Sequence, residues 1–166
     1  GDNVYIGKIG QVFGGGNGVD GPASAAHVGF HRTSATSKDN YSKGTGKTYV
    51  NLVAGNIHYV YGGSNSNGDI RGGANTIMPS KDDYAAYSCC DNLITQNVYG
   101  GGKNADMSSG TSIVMGCMPN DWIEEVYAGS QEADVAGDVS LTITSGKFGR
   151  VFGGNKHGGK LQGSIT

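Results

Sequence analysis

The chain has 166 residues, the length of one domain, and 31 of them are Gly while only 3 are Pro. Glycine at that level without a G-X-Y period excludes collagen, and it leaves either a disordered chain or a fold that needs glycine at recurring backbone positions. Charge is nearly balanced at −2 with no basic stripe, which argues against a nucleic-acid partner, and no apolar run approaches the ~20 residues of a membrane-crossing helix.

The first element, residues 7–16, reads GKIGQVFGGG and returns at 146–155 as GKFGRVFGGN, identical at 7 of 10 positions. An internal repeat of this kind decides the architecture before any local pattern does. A polar stretch without clear period, Ala23 to about Lys43, follows the first copy and is predicted to be an insertion. Tyr49-Val-Asn-Leu-Val53 then reads as a strand, and Gly55-Asn-Ile-His-Tyr-Val-Tyr-Gly-Gly63 is the second copy. Thr76-Ile-Met78 is a further strand, and a second insertion is predicted at residues 79–91. The third copy centres on Val98-Tyr99-Gly100-Gly101, the next strand is Ser112-Ile-Val-Met115, and the fourth copy is Val126-Tyr127-Ala128-Gly129. In Val139-Ser-Leu-Thr-Ile143, apolar and polar residues alternate with the period of a half-buried strand before the fifth copy begins. Three residues before the valines stand Ile9, Ile57, Ile123 and Phe148, but Thr95 in the third copy.

The anchor valines Val12, Val60, Val98, Val126 and Val151 are separated by 48, 38, 28 and 25 residues. The two shorter spacings define the unit, and the longer ones are units with insertions. A unit of that size cannot bury its own apolar face, whereas stacked units at about 4.8 Å can. The expectation is an all-β, parallel β-solenoid (β-helix) of about five rungs, residues 1–166 forming a single repeat domain with insertions near 23–43 and 79–91. Propeller blades need longer repeats, and an antiparallel sandwich is the second rival.

Gly15, Gly63, Gly101, Gly129 and Gly154 share one phase and are predicted to be structural turns, through positive φ or the close approach of a neighbouring backbone. Phe13, Tyr61, Tyr99, Tyr127 and Phe152 share another and are predicted to form an aromatic ladder. Because successive strand residues face opposite ways, either the valine row or this ladder is expected to be exposed. Exposed rings could stack on sugars. Gly15-Gly-Asn-Gly-Val-Asp20 matches the calcium repeat G-G-x-G-x-D, and Gly101-Gly-Lys-Asn-Ala-Asp106 matches it in part. Asp20, Asp106 and Asp134 share a phase. The nine-residue periodicity of calcium β-rolls is missing, so solvated turn aspartates are the default, with Ca²⁺ the one cofactor the residues allow. Gly44-Thr-Gly-Lys-Thr48 lacks the first glycine of a P-loop, since Tyr41 stands there, and it precedes a strand. His27, His31, His58 and His157 are scattered. Asp82, Asp83, Arg71 and Lys81 could converge as in a polysaccharide lyase, but no spacing requires it; no catalytic residue, cofactor-binding residue or metal ligand is assigned. Cys89 and Cys117 each stand nine residues before an anchor valine. Neighbouring rungs would bring them within disulfide range, with Cys90 as the alternative partner.

The units resemble the glycine-rich surface repeat proteins of Bacteroides-like gut bacteria, which repeat G-x-I-x-x-V-Y-G-G-G-N-x-A-D-V-x-G-x-V-x-V-x-I. The stretches that carry the resemblance are Gly55 to Gly63 and Ala133-Asp-Val-Ala-Gly-Asp-Val-Ser-Leu-Thr-Ile143. With the predicted solenoid it implies a structural or adhesive segment of a secreted or cell-surface bacterial protein, a stalk, fibre or adhesin, and not an enzyme. The expected partners are neighbouring repeats, further copies of the chain, or surface glycans, and the segment is expected to belong to a longer solenoid. The alternative is a carbohydrate-binding or carbohydrate-degrading β-helix protein.

Overall fold

The computed structural model describes residues 8–19, 25–32, 41–53, 55–78, 93–116 and 122–166, which contain strands and no helix. Five strands make one parallel sheet: β1 (Lys8–Phe13), β5 (Gly55–Tyr61), β7 (Leu93–Tyr99), β9 (Trp122–Tyr127) and β11 (Phe148–Phe152). Four make a second parallel sheet: β4 (Thr48–Asn51), β6 (Ala74–Met78), β8 (Thr111–Met115) and β10 (Val139–Ile143). Strands neighbour one another in chain order in both sheets, so each repeat unit adds one strand to each.

Pairing is in register along the whole repeat. Val12 lies beside Val60, Val60 beside Val98, Val98 beside Val126, and Val126 beside Val151. The first four of these valines pack into a core that includes Val50, Leu52, Met78, Ile113 and Met115. The second sheet follows simple alternation: Thr48 and Val50 are buried, while Tyr49 is 61% exposed. The first sheet does not. Its ladder of paired residues skips one position per unit, at Gly10, His58, Gln96, Glu124 and Gly149. The resulting bend turns both Ile57 and Val60, three residues apart, into the same core. Thr95 occupies this isoleucine row, buried, with its hydroxyl lacking a hydrogen-bond partner.

A third line of contacts follows the turns, through isolated parallel bridges Val28–Ile70, Met107–Val135 and Val135–Leu161. Two hydroxyls tie the sheets together. Thr48 Oγ1 donates to the Gly62 carbonyl and Thr111 Oγ1 to the Ala128 carbonyl, each at 2.6 Å. The stretch from Ala23 to about Lys43, expected to be irregular, departs from that reading in two places. Val28 joins the third line, and β2 (Phe30–Arg32) pairs antiparallel with β3 (Tyr41–Lys43). The insertion at 79–91 lies outside the described residues.

Candidate functional site: the aromatic ladder and its charged border

Parallel strands in register place equivalent side chains one strand spacing apart. Phe13, Tyr61, Tyr99, Tyr127 and Phe152 accordingly form one continuous stack, with ring centroids 4.7, 4.9, 5.3 and 4.8 Å apart and interplanar angles of 6–11°. The stack lies on the face of the first sheet opposite the valines. The exposure of one row that alternation predicts is not found. Val60, Val98, Tyr61 and Tyr99 are all 1% exposed or less, while Val151 and Phe152 are 42% and 40% exposed. Both rows are buried because the chain turns after the aromatic residue and folds back. Lys103, Gln131 and Lys156 then lie beside the tyrosines, bordering a pocket of about 290 Å³.

Beside the ladder runs the row of residues that precede the valines: Gln11, Tyr59, Asn97, Glu125 and Arg150. Glu125, 5% exposed, is the centre of a charged network. Its Oε2 accepts hydrogen bonds from Lys156 Nζ at 2.8 Å and from Tyr127 Oη and Asn97 Nδ2 at 3.0 Å, while Oε1 pairs with Arg150. Asn97 also donates to Tyr99 Oη at 2.8 Å, and Tyr61 Oη donates to Gln131 Oε1 at 2.5 Å. The Lys156 hydrogen bond above all holds the Glu125 carboxyl below its ordinary pKa, helped by Tyr127 and the two cations. Burial pulls the Lys156 ammonium down, but the hydrogen bond and charge of Glu125 outweigh it and its pKa stands above the ordinary value. Burial raises all three tyrosines, and for Tyr127 the bond to Glu125 adds to it. At neutral pH the Glu125 carboxyl is therefore ionised and the three phenols keep their protons.

The predicted turn glycines all lie just beyond the strands, and none has positive φ. Close approach explains the inner ones. A Cβ on Gly15 would strike Ser64 Oγ, on Gly63 the Gly102 backbone, on Gly101 Ser130 Oγ, and on Gly129 Asn155 Oδ1. The aspartates clip successive units together: Asp106 Oδ1 accepts the Asp134 N–H at 2.8 Å, and Asp134 Oδ1 accepts the Lys160 N–H at 2.7 Å. With His27, Asp69 and Asn104 they line a groove of about 480 Å³. His27 Nδ1 accepts the Asp69 N–H at 3.0 Å. Thr48 of the Gly-Lys-Thr stretch opens β4, as a strand reading requires, and His58 and His157 are exposed. Asp20, Lys81, Asp82, Asp83, Cys89, Cys90 and Cys117 lie outside the described residues, so the proposed Cys89–Cys117 bridge does too. Among the described residues no group of three or more His, Cys, Asp or Glu side chains is placed to share a metal ion, and no helix is long and apolar enough to cross a membrane.

Register, ladder and clips define an all-β architecture of parallel strands in two sheets. No protein family, no curated protein and no solved structure matches the chain.

Proposed function

We propose that the chain is a parallel β-solenoid segment of about five rungs that serves as a non-catalytic structural or adhesive part of a bacterial cell-surface or secreted repeat protein. The observation that carries this reading is the aromatic stack: four successive ring contacts at 4.7–5.3 Å join five units. The groups with catalytic potential beside it serve the same stack. Glu125 bridges three units through Asn97 and Lys156, and the aspartates of the groove accept backbone N–H groups from the next unit. Such one-dimensional stacking makes a rigid spacer whose length scales with unit number. The test is location. Antibody raised against the chain should label intact cells of the bacterium that encodes it, and protease treatment of intact cells should remove the label; labelling only after permeabilisation refutes the surface role.

One observation favours the carbohydrate-binding alternative, the groove lined by His27, Asp69, Asn104, Asp106 and Asp134. Carboxylates and amides along one groove are the groups that hold sugar hydroxyls. Binding on a glycan array that disappears in the double variant Asp106→Asn, Asp134→Asn would support it.

A further inference from the structure

Two concave surfaces of the chain differ in charge. Asp69, Asp106 and Asp134 line the larger groove, whereas the pocket of about 290 Å³ beside the aromatic ladder is lined by Lys103, Lys156, His157, Gln131 and Tyr59 among others, and by no carboxylate. Lys103, Gln131 and Lys156 each stand five residues after an anchor valine, on successive units. Backbone hydrogen bonds fix that row: the Gln131 N–H donates to the Gly102 carbonyl at 3.0 Å, the Lys156 N–H to the Ser130 carbonyl at 3.1 Å, and the His157 N–H to the Gln131 carbonyl at 2.9 Å. Stacking at one strand spacing per unit puts the Lys103 and Lys156 backbones about 10 Å apart, so their long side chains can converge on one group set over Gln131. Charge in the pocket is unmatched. Lys156 shares Glu125 with Arg150. Lys103 is half-buried, and among the described residues neither its ammonium nor the Tyr59 hydroxyl has a hydrogen-bond or ionic partner. Glu132, which Gln131 Nε2 reaches at 3.3 Å, is exposed to solvent. A half-buried cation without a counter-ion is costly, and a chain of net charge −2 has no general excess of base to account for it.

We propose that this pocket binds an oxyanion, a phosphate or sulfate group, between the ammonium groups of Lys103 and Lys156, with Tyr59 and His157 as further donors. Ammonium, phenol and imidazole groups can all donate, and a tetrahedral oxyanion accepts from several directions at once. Lys156 uses one N–H on Glu125 and has others to give. The row on which the cations stand is held by backbone bonds that no ligand has to form or break, so the site is in place before the anion arrives. The anion replaces no contact between units; its binding is a property additional to the structural role and does not depend on it.

Isothermal titration calorimetry of the folded chain with inorganic phosphate tests this, at low ionic strength and against sodium chloride of equal ionic strength. The expected result is saturable binding of phosphate and none of chloride. A parallel titration with glycerol phosphate separates the free ion from an esterified group: tighter binding of the ester assigns the pocket to a phosphorylated molecule, and equal or weaker binding assigns it to the ion. Lys103→Gln should weaken binding about tenfold or more, the loss of one charge-assisted hydrogen bond, while circular dichroism and the melting temperature without ligand stay as in the parent, because the Lys103 side chain holds nothing else. Tyr59→Phe should weaken binding by a smaller factor. Lys47→Gln removes an exposed lysine outside the pocket and should leave the affinity unchanged. A folded chain that shows no saturable phosphate binding overturns the proposal and leaves the structural reading standing. Binding that survives Lys103→Gln, that falls equally in Lys47→Gln, or that chloride reproduces also overturns it.

Discussion

Replacing Glu125 by Gln removes one charge from the middle of the network and little else, because the two side chains have nearly the same shape. The variant keeps an oxygen for Asn97 and Tyr127 but loses the ionic bonds to Lys156 and Arg150. A hydrogen bond to a charged group contributes about 1.5–3 kcal/mol, whereas an exposed pair contributes about 0–1 kcal/mol. Arg150 belongs to the second kind, with 64% of its side chain exposed; Lys156, at 25%, lies closer to the first. Breaking a fully buried pair costs about 3–5 kcal/mol, but Lys156 keeps access to water, so the expected loss is about 2 kcal/mol. Urea unfolding at pH 7 reads it as a lower midpoint at constant slope. The folded carboxyl has a pKa below the ordinary 4.5, so its contribution is present above that pH and disappears as pH falls through the folded value. The gap between parent and variant should therefore close under acid. A gap below about 0.5 kcal/mol at pH 7, the size of an ordinary surface substitution, would refute the reasoning, and so would one that persists unchanged into acid.

Three further outcomes follow from the same geometry. Thr95→Val removes a buried hydroxyl without a partner from a row of isoleucines; it should stabilise the chain by about 1 kcal/mol and raise the melting temperature by about 2–4 °C. Tyr61, Tyr99 and Tyr127 have raised pKa values, so the stability they contribute is present below the ordinary 10.0 and is lost as pH rises beyond it; in a spectrophotometric titration their ionisation should coincide with unfolding, and ionisation of all tyrosines before unfolding would contradict this. Chelation should leave thermal unfolding unchanged, because Asp106 and Asp134 already clip backbone N–H groups; a large loss of stability with chelator, reversed by Ca²⁺, would show a structural ion.

What the sequence discloses here depends on whether a feature repeats. The valine row and the aromatic row are legible because each unit restates them at one phase, and in-register pairing then follows from stacking. The strand Val139–Ile143 is legible because its alternation matches the pleat. The bend in the first sheet leaves only a faint trace, the three-residue spacing from Ile57 to Val60 and from Ile123 to Val126, where an unbroken strand would use two or four. The Glu125 network leaves none. Its row reads Gln11, Tyr59, Asn97, Glu125 and Arg150, five different residue types, and its main cation comes from the loop after β11. Only the fold brings these together. Alternation correctly separates valines from aromatics, but it is silent on the loop residues that return to cover the second row. The pairing of Phe30-His-Arg32 with Tyr41-Ser-Lys43 lacks apolar alternation, so nothing local announces it.

The division of the ladder between tyrosine and phenylalanine follows from the same covering. A buried phenol needs a hydrogen-bond partner. Tyr99 finds Asn97 and Tyr127 finds Glu125 on the neighbouring row, and Tyr61 finds Gln131 in the turn after β9. Phe13 and Phe152 close the two ends without a hydroxyl to satisfy. Each inner ring has both faces against another ring, so no inner face is left on which a sugar could stack. Among the described residues, free ring faces occur in this stack only at Phe13 and Phe152. Sugar recognition, if the chain performs it, therefore belongs to the groove of Asp69, Asp106 and Asp134, and the aromatic ladder belongs to the axis along which units add.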